Sequence, residues 1–312
     1  MGTTLLSFVI PCYRSEYTIR GVIDEIKSVI SAREGYEYEI ITINDESPDH
    51  VYEVLKELAE DDSNIKVVNL AKNRGKDAAV FAGYRFVKGS YVINLDDDGQ
   101  SPVSELWQLM DLVEADACDI ATARYSDKKE SGWRLIGSKA NMVIESITLE
   151  RPLELRLENF FVMKRFVVDE VIKYNNPFPY FAGSIAKTTD RIKAVPMEKR
   201  DRSDERSTGY TLHRSISVAV SGMTNFSVKP LRIATLFGVI TEVIAFLVGM
   251  LIIARKLNDP SIPVGWSSTM AAILFSSGIE IMLIGIIGEY IGRIFISMNN
   301  VPQYVIKNTI NI

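Results

Sequence analysis

The chain has 312 residues, 47% of them hydrophobic, enough for one large domain or two smaller ones with a sizeable core. A net charge of −5 gives no general reason to expect nucleic-acid binding. Its two cysteines, Cys12 and Cys118, stand in no metal-ligand spacing and read as reduced thiols, and two histidines, His50 and His213, are too few for a histidine zinc site or a Ser-His-Asp triad.

Leu6 to Ile10 is predicted as a strand; the apolar run Leu5 to Ile10 is too short for a signal peptide and lacks its basic leader, so the N-terminal portion is expected in the cytosol. Tyr17 to Ile30 reads as a helix with Ile19, Val22, Ile23, Ile26 and Ile30 on one face. Tyr38 to Ile43 is a second strand ending in the polar turn Asn44–Asp49, and Val51 to Leu58 the next helix. Ile65 to Leu70 is a third strand, followed by Asn73-Arg74-Gly75-Lys76-Asp77 and a helix through Val87. Tyr91 to Leu95 is a fourth strand, Val103 to Val113 a helix, and Asp119 to Ala123 a fifth strand. This alternation predicts a doubly wound α/β domain with a mostly parallel sheet.

The fourth strand runs into three consecutive carboxylates, Asp96, Asp97 and Asp98. In a parallel sheet the ligand site lies outside the carboxyl ends of the strands. Three carboxylates there repel one another unless a cation compensates, and an oxygen-rich cluster suits Mg²⁺ or Mn²⁺. The alternative is a solvated acidic turn. No G-x-G-x-x-G follows the first strand and no P-loop occurs. Any diphosphate would thus be neutralised by a metal rather than by a glycine-rich loop.

Near Pro230 the dense charges give way to two apolar runs, roughly 233–254 and 269–291, each long enough to cross a bilayer. The linker between them is short and holds prolines and a glycine. Two spans return the C-terminus to the side of the N-terminal domain, and Lys229, Arg232, Arg293 and Lys307 against Arg255 and Lys256 give a weak positive-inside signal. Glu242 and Glu280 fall inside the runs, where ionisable groups usually face protein; a structural role as hydrogen-bonding partners is expected. The expected division is 1–228, a cytosolic domain, and 229–312, a membrane domain with a short cytosolic tail.

Six motifs in order resemble glycosyltransferase family 2, and more narrowly its membrane-anchored polyprenyl-phosphate glycosyltransferases, such as dolichyl-phosphate mannose synthases and the bacterial enzymes that charge undecaprenyl phosphate. They are Ser7–Tyr13 with its Pro-x-Tyr, the acidic turn Ile41–Asp49, the Asn-x-Gly-Lys-x-x-Ala helix start at Asn73–Gly83, and the Asp-x-Asp-x-Gln-x-Pro segment Asp96–Pro102. Thr224–Arg232 and Gly288–Arg293, followed by Pro302 and Tyr304, complete the set. The resemblance implies a GT-A fold and inverting transfer of one sugar from a nucleotide diphosphate sugar to polyprenyl phosphate, for cell-envelope glycan modification. It further implies a homotetramer at the inner (plasma) membrane. Transfer to a growing polysaccharide is an alternative, although the Gln-x-x-Arg-Trp signature of processive synthases is absent. A non-catalytic scaffold of the same fold is another.

The resemblance assigns Asp96 and Asp98 to catalysis and, with Gln100, to Mg²⁺ or Mn²⁺. Pro11, Tyr13 and Asp45 match the nucleotide base and ribose pocket, with Asp97 facing away or binding nucleotide. Lys76 and Asp77 begin a helix, where an anion or sugar hydroxyl can be met or a solvated face presented. Arg124, Arg134 and Ser138 match the set that holds the lipid phosphate, which suits bidentate arginine. Arg202 and Arg206 are candidates to close over the diphosphate, because Gly209 stands where the family often has lysine. Asn44 replaces the first of two aspartates common in the family, and Arg14 and Ser15 replace its Asn and Glu.

Overall fold

The structure, a computed structural model, describes residues 2–125, 157–174, 176–177, 179–200, 229–258, 265–299 and 301–312. The chain divides into two compact units, Met1–Ala219 with Val301–Ile312, and Val220–Asn300.

The first unit is built on one sheet. Strand β1 (Thr4–Cys12) lies between β2 (Tyr36–Asn44) and β4 (Tyr91–Asn94), both parallel to it, and β3 (Ile65–Leu70) continues parallel beyond β2. Beyond β4 come β6 (Phe161–Lys164), antiparallel to its neighbours, then β5 (Ile120–Tyr125) and, parallel to β5, β7 (Ile192–Met197). Strand β8 (Ile306–Ile310) closes the other edge antiparallel to β3. The sheet is therefore mixed but mostly parallel, as the alternation of elements predicts.

Both faces are buried, which explains the nearly uninterrupted apolar strands. Leu6, Phe8 and Ile10 face a core with α1 (Ile19–Ser31), α2 (Val51–Asp61) and α4 (Leu106–Glu114); α4 follows a 3-10 turn at Val103–Glu105. Val9, Ile41 and Ile43 face a second core with α3 (Lys76–Tyr84), α5 (Arg165–Val171) and α6 (Phe181–Ala186). Helix α3 packs unusually close to the sheet at Gly83, where a Cβ would stand 2.6 Å from Ile43 Cδ1 and 2.9 Å from Val9 Cγ1. This helix ends at Tyr84 instead of running on through Val87. The chain must turn there to begin β4, and the Gly89 Cβ position is only 2.5 Å from the Leu5 carbonyl oxygen.

The second unit holds α7 (Lys229–Asn258) and α8 (Trp266–Met298). Each contains a window long and apolar enough to cross a membrane, Ala234–Leu251 and Phe275–Met298. Large apolar side chains such as Leu236, Phe246, Phe275 and Ile281 are exposed on these helices. Glu280 is also exposed on α8, so within this chain it is not enclosed by protein as expected; the side chain of Glu242 lies outside the described set.

Candidate active site

The strand order reverses at β1: the chain passes from β1 to β2 and β3 on one side, then returns to place β4 on the other. Crevices at such reversals, beyond the carboxyl ends of the strands, are where open α/β sheets bind ligands. Here β1 delivers Tyr13 and β4 delivers the acidic triplet to that crevice. They are tied together directly, because Tyr13 N–H donates to Asp97 Oδ2 at 2.9 Å. The Thr18 hydroxyl donates to the Asp97 carbonyl at 2.6 Å. Tyr13 is 43% exposed, with the Arg14 guanidinium carbon 5.4 Å from its ring centroid.

Each aspartate of the triplet has its own surroundings. Asp96 is ion-paired with Lys76 through Oδ1 and accepts from Asn159 Nδ2 at 2.7 Å through Oδ2. Asn159 is itself held through its carbonyl, which accepts from Asn94 Nδ2 at 3.3 Å. Asp97 is half-buried. Burial, reinforced by Asp96 and Asp98 and opposed by the Tyr13 N–H, pushes its pKa up to about 7. Asp98 Oδ1 accepts from Gln100 N–H at 3.1 Å, across a turn in which Gly99 takes φ +73°. Gln100 Nε2 donates to the Arg200 carbonyl at 3.4 Å, and Arg200 N–H returns to the Gln100 carbonyl at 3.2 Å. The Arg200 guanidinium binds Glu25 at 2.8 Å and Ser104 at 2.9 Å, fixing the start of the basic stretch against the acidic loop.

A second loop completes the crevice. The Asp45 carboxylate accepts from Arg74 N–H at 2.8 Å and Gly75 N–H at 2.9 Å. Gly75 has φ +86°, a conformation glycine adopts without strain, and it sets Lys76 at the start of α3. Burial raises the Asp45 pKa despite these two donors. Asp77 accepts from Phe181 N–H at 3.0 Å, and burial raises its pKa too, against the opposing effects of that bond and Lys76. Phe181 stacks on Phe161 at 5.4 Å, so the start of α3 is braced against the second core.

Among the described residues, no group of three or more His, Cys, Asp or Glu side chains could hold a metal ion by itself. The donors present still fit Mg²⁺ or Mn²⁺, which are commonly bound by one or two carboxylates together with substrate phosphates and water. Asp96 and Asp98 supply those carboxylates, and the Lys76 ammonium on Asp96 marks a position that favours positive charge.

Residues 7–172 match the profile of glycosyl transferase family 2, and residues 229–294 match the GtrB C-terminal hairpin. The chain belongs to glycosyl transferase family 2. This glycosyltransferase is 29% identical to the SfII prophage-derived bactoprenol glucosyl transferase of Shigella flexneri, over 97% of this chain and 98% of that protein. It is 27% identical to the uncharacterized glycosyltransferase YkcC of Bacillus subtilis, over 98% of this chain and 94% of that protein. Among solved structures, glucosyl-3-phosphoglycerate synthase from Mycobacterium tuberculosis, crystallised with Mn²⁺, uridine-diphosphate-glucose and phosphoglyceric acid, superimposes with a TM-score of 0.51 at 17% identity. That match covers 71% of this chain and 78% of the synthase, and shows the shared GT-A fold.

The glycosyltransferase brings Tyr13, Asp45, Lys76, Asp96, Asp97, Asp98 and Gln100 to one end of the sheet, while Pro11 is buried inside β1. Arg124 is exposed at the carboxyl end of β5, paired in register with Pro196. Arg134, Ser138, Arg202 and Arg206 lie outside the described residues. Asn159, Asn94, Thr18 and Tyr125 are not among the site residues expected from sequence. Burial, with Glu158, Asp96 and Asp98 adding, pushes the Tyr125 pKa up to about 12, and its ring lies 5.5 Å from Lys199 Nζ. An asparagine just before a short strand is a weak signal, and only the antiparallel insertion of β6 beside β4 carries Asn159 to Asp96.

Proposed function

We propose that this glycosyltransferase moves a single sugar, with inversion, from a nucleotide diphosphate sugar to a polyprenyl phosphate. The observation that carries this reading is the near full-length similarity to relatives named as bactoprenol glucosyl transferases, extending through the C-terminal hairpin. The two apolar helices fit an acceptor dissolved in a bilayer. Residues 1–228 form the cytosolic catalytic domain in this reading. The two apolar helices within residues 229–300 anchor the chain in the plasma membrane, the tail 301–312 belongs with the catalytic domain, and four copies assemble.

Tyr13 stacks on the base, with Pro11 and Asp45 shaping the pocket around it and Asp97 behind. Asp96 and Asp98, with Gln100, hold Mg²⁺ or Mn²⁺. When bound, that ion neutralises charge on the leaving diphosphate. Lys76 adds a second positive group beside Asp96, and Arg202 and Arg206 are assigned to the diphosphate. Arg124, Arg134 and Ser138 hold the acceptor phosphate. A phosphate monoester has a second pKa of about 6 and is ionised near neutrality, so its oxygen attacks without a strong protein base. The work left to the protein is positioning and charge stabilisation, in keeping with its scarcity of histidine.

A thermal-shift screen of UDP-, GDP- and dTDP-sugars with Mg²⁺ or Mn²⁺ tests the donor half. A ligand at 100 times its dissociation constant stabilises by about 2.7 kcal/mol. A metal-dependent shift with one nucleotide class is expected; no shift with any of them would contradict the reading.

A further inference from the structure

Four residues stand in one row across four strands at the carboxyl edge of the sheet. Cys12 pairs with Asn44, Asn44 with Asn69, and Asn69 with Asn308. The three asparagines are joined head to tail. Asn44 Nδ2 donates to Asn69 Oδ1 at 2.8 Å, Asn69 Nδ2 donates to Asn308 Oδ1 at 2.9 Å, and Asn308 Nδ2 donates to the Tyr52 hydroxyl. At the other end, Asn44 Oδ1 accepts from Ser47 N–H at 3.1 Å, and Ser47 Oγ accepts from Arg14 N–H at 2.7 Å. Asn44 and Asn69 are each 5% exposed, so water cannot readily replace a lost partner. Such a buried polar row is strong when every member is satisfied and costly when one is not.

The row ends in a turn that needs outside support. Arg14 and Glu46 take φ +60° and +48°, left-handed conformations that non-glycine residues seldom adopt. Strain of this kind persists where surrounding bonds over-determine it. Beyond the row, strand β8 is fastened at several points. Ala71 N–H donates to the Val305 carbonyl at 2.8 Å, and Asn311 Nδ2 donates to the carbonyls of Ala59 at 2.7 Å and Ile65 at 2.9 Å.

The geometry points to Asn308 as a positioning residue for donor binding: the strand that follows the second apolar helix braces the 13–14 and 44–49 turns through Asn69 and Asn44. This rests on reading those turns as the donor pocket. It also gives Asn44 a physical reason. An amide can donate to Asn69 and accept from Ser47 at once, whereas an ionised aspartate only accepts, so Asn69 and Asn308 would both have to flip to keep the row bonded.

Asn308 is exposed, so its replacement leaves the core intact. Asn308→Leu removes both partners, whereas Asn308→Asp still accepts from Asn69 and can accept from the Tyr52 hydroxyl. The full chain in detergent is compared with both variants by hydrogen exchange over residues 44–49. Steady-state transfer from UDP-glucose to undecaprenyl phosphate is measured in parallel. Asn308→Leu should speed exchange in that segment and raise the donor KM about three- to tenfold, the loss of roughly one hydrogen bond, with kcat little changed. Asn308→Asp should restore both. Unchanged exchange, or a fall in kcat with KM unmoved, would overturn the inference. Should UDP-glucose be inert, the same comparison is made with GDP- and dTDP-sugars; faster exchange in Asn308→Leu with donor KM and kcat both unmoved would instead overturn the donor assignment of the turn.

Discussion

Replacing Asp45 by alanine distinguishes two roles for a carboxylate at the heart of the proposed donor side. Its two oxygens hold the N–H groups of Arg74 and Gly75 at 2.8 and 2.9 Å, and so fix the loop that presents Lys76 to Asp96. Hydrogen bonds to charged groups contribute roughly 1.5–3 kcal/mol each. Two of them would total about 3–6 kcal/mol, but the raised pKa shows that burial of the charge outweighs them, so what the variant loses is a partner for each N–H, roughly 1–3 kcal/mol where that N–H is left unsatisfied. Arg74 is also exposed, so water can satisfy its N–H in the variant. A net loss of about 1–3 kcal/mol remains, equivalent to about a 5- to 150-fold weaker donor interaction if loop order is what the donor needs. Hydrogen exchange over residues 73–76 and donor KM should rise together, and the Asp45→Asn variant, which keeps one acceptor, should fall between. If Asp45→Ala abolishes nucleotide binding while exchange at 73–76 stays slow, the carboxylate contacts the nucleotide itself and the clamp is incidental.

Asp77 predicts a pH dependence. Burial raises its pKa in the folded chain, so ionising it opposes folding; its contribution is most favourable below the unfolded value and is lost as pH rises through the folded one. Asp77→Asn, which can still accept from Phe181 N–H, should therefore raise the denaturation midpoint at pH 7.5 and do so progressively less towards pH 4; a pH-independent change would contradict this. Arg134→Ala should reduce catalytic efficiency with polyprenyl phosphate about ten- to 150-fold, as loss of one charge-assisted bond implies, and leave donor affinity in place. Calorimetry with the nucleotide alongside an acceptor titration checks it, and a collapse of donor affinity would move that arginine to the diphosphate. Cysteines introduced at Ile312 and Ser261 should be labelled from opposite faces of the membrane, against a quiet background because Cys12 and Cys118 are buried; labelling from the same face would refute two crossings.

The alternating unit from β1 to β5 is legible in the sequence because each element carries a simple apolar signature. Strand β3, read as Ile65 to Leu70, has those bounds in the structure, since polar residues flank a run buried on both faces. Three strands were not legible. Strand β6 has four residues, β7 contains Pro196 and lies at an edge where proline is tolerated, and β8 follows the second apolar helix and pairs with a strand more than 200 residues earlier. The site divides in the same way. Asp96, Asp98 and Tyr13 announce themselves by position after a strand. The partners that define their chemistry, Asn159 on Asp96 and the loop 74–75 on Asp45, come from distant segments that only the strand order brings together.

The most direct test of the central claim is transfer itself. Purified full-length protein is incubated with a radiolabelled nucleotide sugar, undecaprenyl phosphate and Mg²⁺ or Mn²⁺, and label is counted in the organic-extractable lipid. The account predicts one labelled lipid-linked sugar per acceptor, lost on chelation of the metal and in Asp98→Asn with the fold intact. Label that stays water-soluble, or transfer that survives both chelation and Asp98→Asn, would contradict it.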